Sequence, residues 1–446
     1  MRRRRPTGRT NPDARTRGEV SIPTAQPHAR RPSGRRCRQR AIGPGAPRPS
    51  VLLGTFFAAG LCFMLAAAAA AIAYVLSGLE WVHWLALHLL LLGGISQLVL
   101  GAGQFFTCAF LATDPPPRRL IWAQFGAWNM GVILVAIGVP SAISALTDVG
   151  GALIAIGIAL FAAALLGMRR RSLQHAPWAL RWYQTSAACL TIGVLLGVLM
   201  ARGTPWPYGS LLGAHLALNL GGWLGTAIVG TLHTFFPSLT QTQLRHPRLQ
   251  RPTYTFWLAG VLLLAAGAAF GIVSILALGW LSLLASAMLL SVNLLASLGA
   301  AARPLALPAR LVALAQVFLP TGLLLALLAT VAHGTMGPFV GAPRTALAVL
   351  LLAGWIGLTV SGSLLHLLAV LARIKSFTFP MPQPRPARDR ALTATAGMGV
   401  AALALSTTPG LAPLSDPAAA LTIAVAGLLA IRVLALALRA AGPTAS

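Results

Sequence analysis

Between residues 51 and 438 the chain is a succession of apolar runs, most of them longer than 20 residues, separated by short segments of Arg, Pro and Gly. About 20 apolar residues are what an α-helix needs to cross a hydrocarbon core of ~30 Å. Composition agrees: 57% of residues are hydrophobic and 9% charged, against roughly a quarter charged in soluble domains. The sequence therefore predicts an all-α, polytopic membrane bundle of about twelve transmembrane helices. They are placed at 51–77, 82–111, 120–141, 149–168, 178–200, 210–236, 255–274, 280–298, 309–331, 345–372, 391–410 and 417–438. The run from 255 to 298 is too long for one span and is broken near Gly279. Residues 1–50 form an Arg/Pro-rich basic tail with no apolar period, read as disordered, and 439–446 a short C-terminal tail. No cleavage-like site follows the first apolar run, so it is not read as a signal peptide.

Charge placement sets an orientation. The net charge of +27 is almost all arginine, Lys375 being the one lysine. Segments after even-numbered helices carry sixteen basic residues, among them Arg118, Arg119, Arg169, Arg170 and Arg171, whereas those after odd-numbered helices carry Arg202 and Arg344. The positive-inside bias then places both termini in the cytoplasm, and the chain is expected in a bacterial inner or plasma membrane as a multi-pass protein. The basic tail is read as topogenic, and no nucleic-acid partner is expected. The seven acidic residues (Asp13, Glu19, Glu80, Asp114, Asp148, Asp389 and Asp416) fall in the tail, in loops or at helix ends. A carrier built on buried carboxylate relays is disfavoured by that distribution. Four scattered cysteines give neither a CxxC pair nor a disulfide framework.

Three stretches resemble one another. Gly93-Gly94-Ile95-Ser96 leads after eight residues to Gly101, Gly222-Trp223-Leu224-Gly225 to Gly230, and Gly354-Trp355-Ile356-Gly357 to Gly362. The copies lie 129 and 132 residues apart (222 − 93 and 354 − 222), room for four spans each. The expected architecture is three four-helix repeats, with a functional site at their interface.

Inside the membrane the residues able to carry chemistry are histidines. The orientation sorts them into an outer group, His88, His215, His333 and His83, and an inner pair, His233 and His366. In the sixth helix His215, Asn219, Gly222, Thr226, Gly230 and His233 recur at spacings of three and four, which is one narrow face. Glycines on that face let a neighbouring helix or a flat cofactor approach closely. His215 and His233 lie ~27 Å apart along the axis and cannot share one ion. Imidazole suits copper, zinc and haem iron: two histidines at one depth can hold a haem, three can hold copper. His88, His215, Asn219 and His366 are the candidate cofactor-binding residues, and His88, His215 and His333 the candidate metal ligands. Gln97, Gln104 and Cys108 form a stripe half a turn away from His88, read with Gln124, Asn129 and Gln316 as helix–helix hydrogen bonding. His175 and His246, in arginine-rich loops, are read as solvated, and His28 lies in the tail.

The segments His88-Leu89-Leu90-Leu91-Leu92-Gly93-Gly94, His215 to Gly225, and Gly230-Thr231-Leu232-His233-Thr234-Phe235-Phe236-Pro237, set in twelve spans, resemble haem–copper oxidase subunit I. The chain is closer still to reduced relatives of that subunit, the NnrS-type haem- and copper-binding membrane proteins of nitric oxide metabolism. It is also similar to the membrane part found ahead of bacterial copper nitrite reductase or multicopper oxidase modules. The resemblance implies a haem ligand at His88 and a copper ligand at His215. It also implies a role in nitric oxide metabolism, denitrification or electron transfer, and a periplasmic or extracellular electron-transfer or copper-enzyme partner. The chain departs from the oxidases at several points. Its seventh helix has no histidine, the tenth has only His366, and no tyrosine stands one turn below His215. A complete oxygen-reducing centre is therefore not expected, and whether the chain is an enzyme stays open. A twelve-helix transporter without a redox cofactor is the alternative, although Asp114-Pro115-Pro116-Pro117-Arg118-Arg119 lacks the glycines of the corresponding carrier loop.

Overall fold

A computed structural model describes residues 48–173, 178–302, 304–375 and 383–441. The basic tail, His28 and His175 lie outside the described residues. The described chain is helical, without strands. We number its long helices α1 (Pro49–Ser77), α2 (Glu80–Leu111), α3 (Arg118–Gly138), α4 (Ser144–Arg171), α5 (Trp178–Ala201), α6 (Gly209–Thr240), α7 (Gln250–Phe270), α8 (Val273–Ala300), α9 (Leu307–His333), α10 (Gly341–Lys375), α11 (Pro386–Leu405) and α12 (Ser415–Ala441). Eleven of these regions are long and apolar enough to cross a membrane. The exception is α11, whose first turn contains Arg388, Asp389 and Arg390. Asp389, read from the sequence as a loop residue, is buried there and accepts the Arg385 N–H at 2.9 Å. Arg432 in α12, within electrostatic reach of Asp389, escaped the loop-by-loop reading of charge.

The break between α7 and α8 falls at Gly271, not near Gly279. Gly271 has φ 68°, the left-handed conformation that ends a helix. Gly279 is instead an interior residue of α8, where a Cβ would meet the Leu264 backbone N at 2.8 Å. A glycine in an apolar run can stop a helix or let two helices touch, and composition alone does not separate the two uses.

The α3–α4 and α7–α8 hairpins make the same contacts. A Cβ on Gly131 would strike Ile154, one on Gly138 the Thr147 N, and one on Gly150 Val135. In the second hairpin Gly260 meets Leu283, Gly267 meets the Leu276 N, and Gly279 meets Leu264. Every partner is displaced by 129 residues (260 − 131, 267 − 138, 279 − 150). The turns correspond too: Ile143 N–H donates to Gly138 O and Ile272 N–H to Gly267 O, both at 2.9 Å. One difference stands out, because the left-handed turn residue is Ala142 (φ 54°) in the first hairpin and Gly271 in the second. An L-residue in that region costs roughly 1–2 kcal/mol. Ala142→Gly should therefore stabilise the protein by about 1 kcal/mol and Gly271→Ala destabilise it by a similar amount. Thermal unfolding of the two variants in detergent checks both signs.

Each glycine motif coincides with a π-helical segment: Leu89–Ile95 in α2, Ala217–Gly225 in α6 and Ala348–Gly357 in α10. This explains the eight-residue spacing. Gly93 and Gly101 face Phe63 and Phe56 of α1. Gly222 and Gly230 face Cys189 and Trp182 of α5, whereas Gly354 faces Phe318 of α9 and Gly362 the Pro308 carbonyl and Val312. In the first two cases eight residues of the motif helix run against seven of the preceding one, as expected where a π-turn takes in an extra residue. Each motif helix packs on the helix before it. It also touches one helix further along: α2 meets α5, α6 meets α9, and α10 meets α1.

Candidate functional site

Two imidazoles stand at one level of the bundle, on the side opposite its arginine-rich end. His88 lies eight residues into α2, and His215 lies in the second turn of α6. Further along, Trp223 Nε1–H donates to Ser96 Oγ at 2.8 Å and ties the two helices together. Ser96 is eight residues after His88, and Trp223 is eight after His215 (96 − 88, 223 − 215). Both intervals run mostly through a π-segment (Leu89–Ile95 and Ala217–Gly225), so the crosslink keeps the two imidazoles at a similar height about two turns away. The two rings are within electrostatic reach of each other.

Their hydrogen bonds fix their chemistry. His88 Nδ1 lies 2.9 Å from Trp84 O, and His215 Nδ1 lies 2.9 Å from Gly193 O. A carbonyl oxygen only accepts, so Nδ1 carries the proton in both rings and Nε2 keeps its lone pair. Neither Nε2 has a hydrogen-bond partner, and both residues are part-buried rather than sealed. A backbone carbonyl on Nδ1 is the usual support of a metal-binding histidine, since it fixes the tautomer and raises basicity at Nε2. The His88 ring also stacks on Trp84, centroid to centroid 4.0 Å.

Helix α5 forms the wall behind His215. A Cβ at Gly197 would come within 3.1 Å of His215 Cε1, and one at Gly193 within 2.5 Å of Asn219 Nδ2. Asn219 Nδ2 donates to His215 O at 2.8 Å. Asn219, proposed from the sequence as a cofactor-binding residue, is thus a buttress between Gly193 and His215. Gly193 and Gly197 were not singled out in the sequence, although their G-x-x-x-G spacing in an apolar helix signals close approach.

The other sequence candidates lie elsewhere. His333 is exposed at the end of α9. Among the described residues no three His, Cys, Asp or Glu side chains converge, so the set His88, His215 and His333 is not assembled. His83 is exposed, stacked on Tyr74 at 4.9 Å and 3.9 Å from Glu80. The inner pair does not meet. The His233 ring stacks on Trp182 of α5 at 5.9 Å, whereas His366 meets Phe235 edge-on at 5.7 Å. His233 and Phe235 are two residues apart and so lie on nearly opposite sides of α6. His366 is therefore far around the helix from His233, and at the other end of the bundle from His88. On the face of α6 read from the sequence, Gly222 and Gly230 receive α5 side chains rather than a flat cofactor. Thr226 turns towards α7, accepting the Trp257 Nε1–H at 3.1 Å. Of the amide stripe, Gln97 bridges to Asn129 at 2.8 Å, but Gln104 bonds its own Leu100 carbonyl. Cys108 lies 3.3 Å from Met168 Sδ.

No protein-family model matches the chain, and no curated protein matches it in sequence.

Proposed function

We propose that the chain is a multi-pass membrane protein that binds haem, copper or both through His88 and His215, in the manner of the haem–copper oxidase-like proteins it resembles. One observation carries this reading. Two imidazoles from separate helices stand at one level, each with Nδ1–H committed to a backbone carbonyl and Nε2 free. An intramembrane ionisable group is costly and is rarely kept without use; His233 has the same Nδ1 bond, to Val229 O, but stacks alone on Trp182, so it is the meeting of two such imidazoles that points to a shared ligand. The residues suit the group: two imidazole nitrogens with Nδ1 held by a backbone carbonyl, neither residue fully buried, backed by glycines that let α5 come close. A haem iron or copper ion held there supplies one-electron chemistry and a place for a small ligand such as nitric oxide. The chain's own contribution is positional. Gly193 O and Trp84 O hold the protons on Nδ1, Asn219 braces His215, and the Trp84 indole fixes the plane of His88. His333 and His366 have no part in this site.

Three four-helix units are inferred as its frame. The shared contacts of the two hairpins at an offset of 129, the three π-segments on the glycine motifs and the α2–α5, α6–α9 and α10–α1 contacts support that division. With the arginine-rich end in the cytoplasm, both termini are cytoplasmic and the imidazole pair lies beneath the outer face of a bacterial inner membrane. It is then within reach of an extracytoplasmic electron-transfer or copper-enzyme partner.

The test is a visible spectrum with metal analysis of protein purified from cells supplied with haem and copper. A Soret band, stoichiometric copper or both is expected. His88→Ala and His215→Ala should each lose the signal, and His246→Ala should keep it. Absence of both groups, or equal loss in all three variants, rejects the reading. Solute uptake by vesicles, unchanged by the histidine substitutions, favours a transporter instead.

A further inference from the structure

Arg432 is the one charged side chain in the interior of α12, nine residues before the helix ends at Ala441, or ~13 Å along the axis. A cation at that depth is costly unless it meets an anion or reaches back to the interface. The charged groups within its electrostatic reach are Arg388, Asp389 and Arg385, all at the start of α11, which packs along α12. Asp389 is buried, and its carboxylate accepts the Arg385 backbone N–H at 2.9 Å. Three guanidinium groups therefore share one carboxylate, and two positive charges are left over. Neighbouring cations are spent on the backbone: Lys375 Nζ donates to Ala440 O at 2.6 Å and Arg390 Nε to Pro386 O at 3.2 Å. Among the described residues the Arg388 and Arg432 guanidinium groups donate no hydrogen bond.

The surplus charge calls for an anion, and the surroundings select its kind. Leu428, one turn from Arg432 towards the middle of the membrane, and Ile431 beside it are exposed apolar side chains. A ligand that covers them and also meets the guanidinium groups has a negative head and an apolar body. Basic pockets between helices at the cytoplasmic end of a bundle hold lipid head groups in this way, and a guanidinium forks onto two phosphate oxygens. We propose that Arg388 and Arg432, with Arg385 at the rim, form a binding site for one anionic phospholipid of the leaflet at the arginine-rich end. Its phosphate lies between α11 and α12, and its acyl chains run along Leu428 and Ile431. A free phosphate ion would satisfy the charge and leave those apolar side chains without a partner. The site uses α11 and α12, whereas His88 and His215 stand on α2 and α6. The proposal therefore stands without the metal.

Native mass spectrometry of the full chain tests it, after incubation in detergent with equal amounts of phosphatidylglycerol and phosphatidylcholine of the same acyl chains. The wild type should retain phosphatidylglycerol roughly tenfold over phosphatidylcholine. Arg432→Gln and Arg388→Gln should each cut that preference about fivefold, the worth of one arginine at a membrane surface. Arg248→Gln, at the same end of the bundle but on another loop, should leave it unchanged. Asp389→Asn keeps an acceptor for the Arg385 N–H and removes the competing negative charge, so it should bind phosphatidylglycerol at least as tightly as the wild type. Inorganic phosphate in millimolar excess should not displace the lipid. Equal retention of the two lipids, no change in either arginine variant, an equal loss in Arg248→Gln, or displacement by phosphate overturns the proposal. So does weaker lipid binding in Asp389→Asn, which would make Arg432 a structural partner of that carboxylate. Arg388 is exposed, so Arg388→Gln decides the matter should Arg432→Gln fail to fold. Metal and chromophore content, measured on the same protein, reports separately on the imidazole site.

Discussion

Gly230→Ala is expected to destabilise the protein by roughly 3 kcal/mol or more, the upper range for overpacking a buried site. A Cβ at this position would sit 2.3 Å from both Cβ and Cγ of Trp182, and 2.8 Å from Cδ2. Such contacts are relieved only if the indole moves. It has nowhere to go: Trp182 is 1% exposed, with Tyr254 edge-on at 5.0 Å and His233 stacked on its other side. The strain must then pass to the α5–α6 interface. The check is a double-mutant cycle in detergent, followed by thermal unfolding. Trp182→Leu should cost stability alone, through lost burial. Combined with Gly230→Ala it should cost clearly less than the two single losses together, because the smaller side chain vacates the space the methyl needs. Strict additivity would mean that α5 and α6 do not meet at these residues.

The same glycine shows what could be read from the sequence and what could not. Three copies of a motif with an eight-residue spacing were visible, as were the apolar runs and the sidedness of the arginines, because each is a property of residues near one another in the chain. The reason for the number eight was not. On an ideal α-helix, glycines eight apart point ~80° away from each other, and placing Gly222 and Gly230 on one face leaves that interval unexplained. The π-turn is invisible in composition, and it is what lets the eight residues match seven on the neighbouring helix. The second hairpin repeat was equally present in the sequence, since Gly131, Gly138 and Gly150 recur at Gly260, Gly267 and Gly279. Its meaning emerged only once each glycine had a partner. The site divides in the same way. His88 and His215 stood out as intramembrane ionisable groups, and counting turns put them at one depth. Rotation about the helix axis was the harder part. His233 and His366 share a depth too, but face away from each other across α6, and only packing reveals that.

On the proposed haem or copper site, Gly193→Ala is expected to lower affinity at least tenfold without altering either imidazole-bearing residue. The glycine acts twice. Its carbonyl receives the His215 Nδ1–H at 2.9 Å, and its missing side chain makes room for Asn219, whose Nδ2, Oδ1 and Cγ would all lie within 2.7 Å of an added Cβ. A methyl there pushes the Asn219 amide off its bond to His215 O and tilts the ring whose Nδ1 it lies against, 3.2 Å away. Loss of such an outer support typically costs a metal site 10–100-fold. The measurement is copper or haem titration of the purified variant, beside thermal unfolding of the unliganded protein. The double variant Gly193→Ala/Asn219→Ala separates the causes. It returns the space and leaves the Gly193 carbonyl in place, so affinity should recover most of the way if the injury was displacement of the ring. A pure helix-packing defect would instead lower the unfolding temperature and leave the affinity of the folded fraction intact. That outcome would take Gly193 out of the site and leave it as one more close contact between α5 and α6.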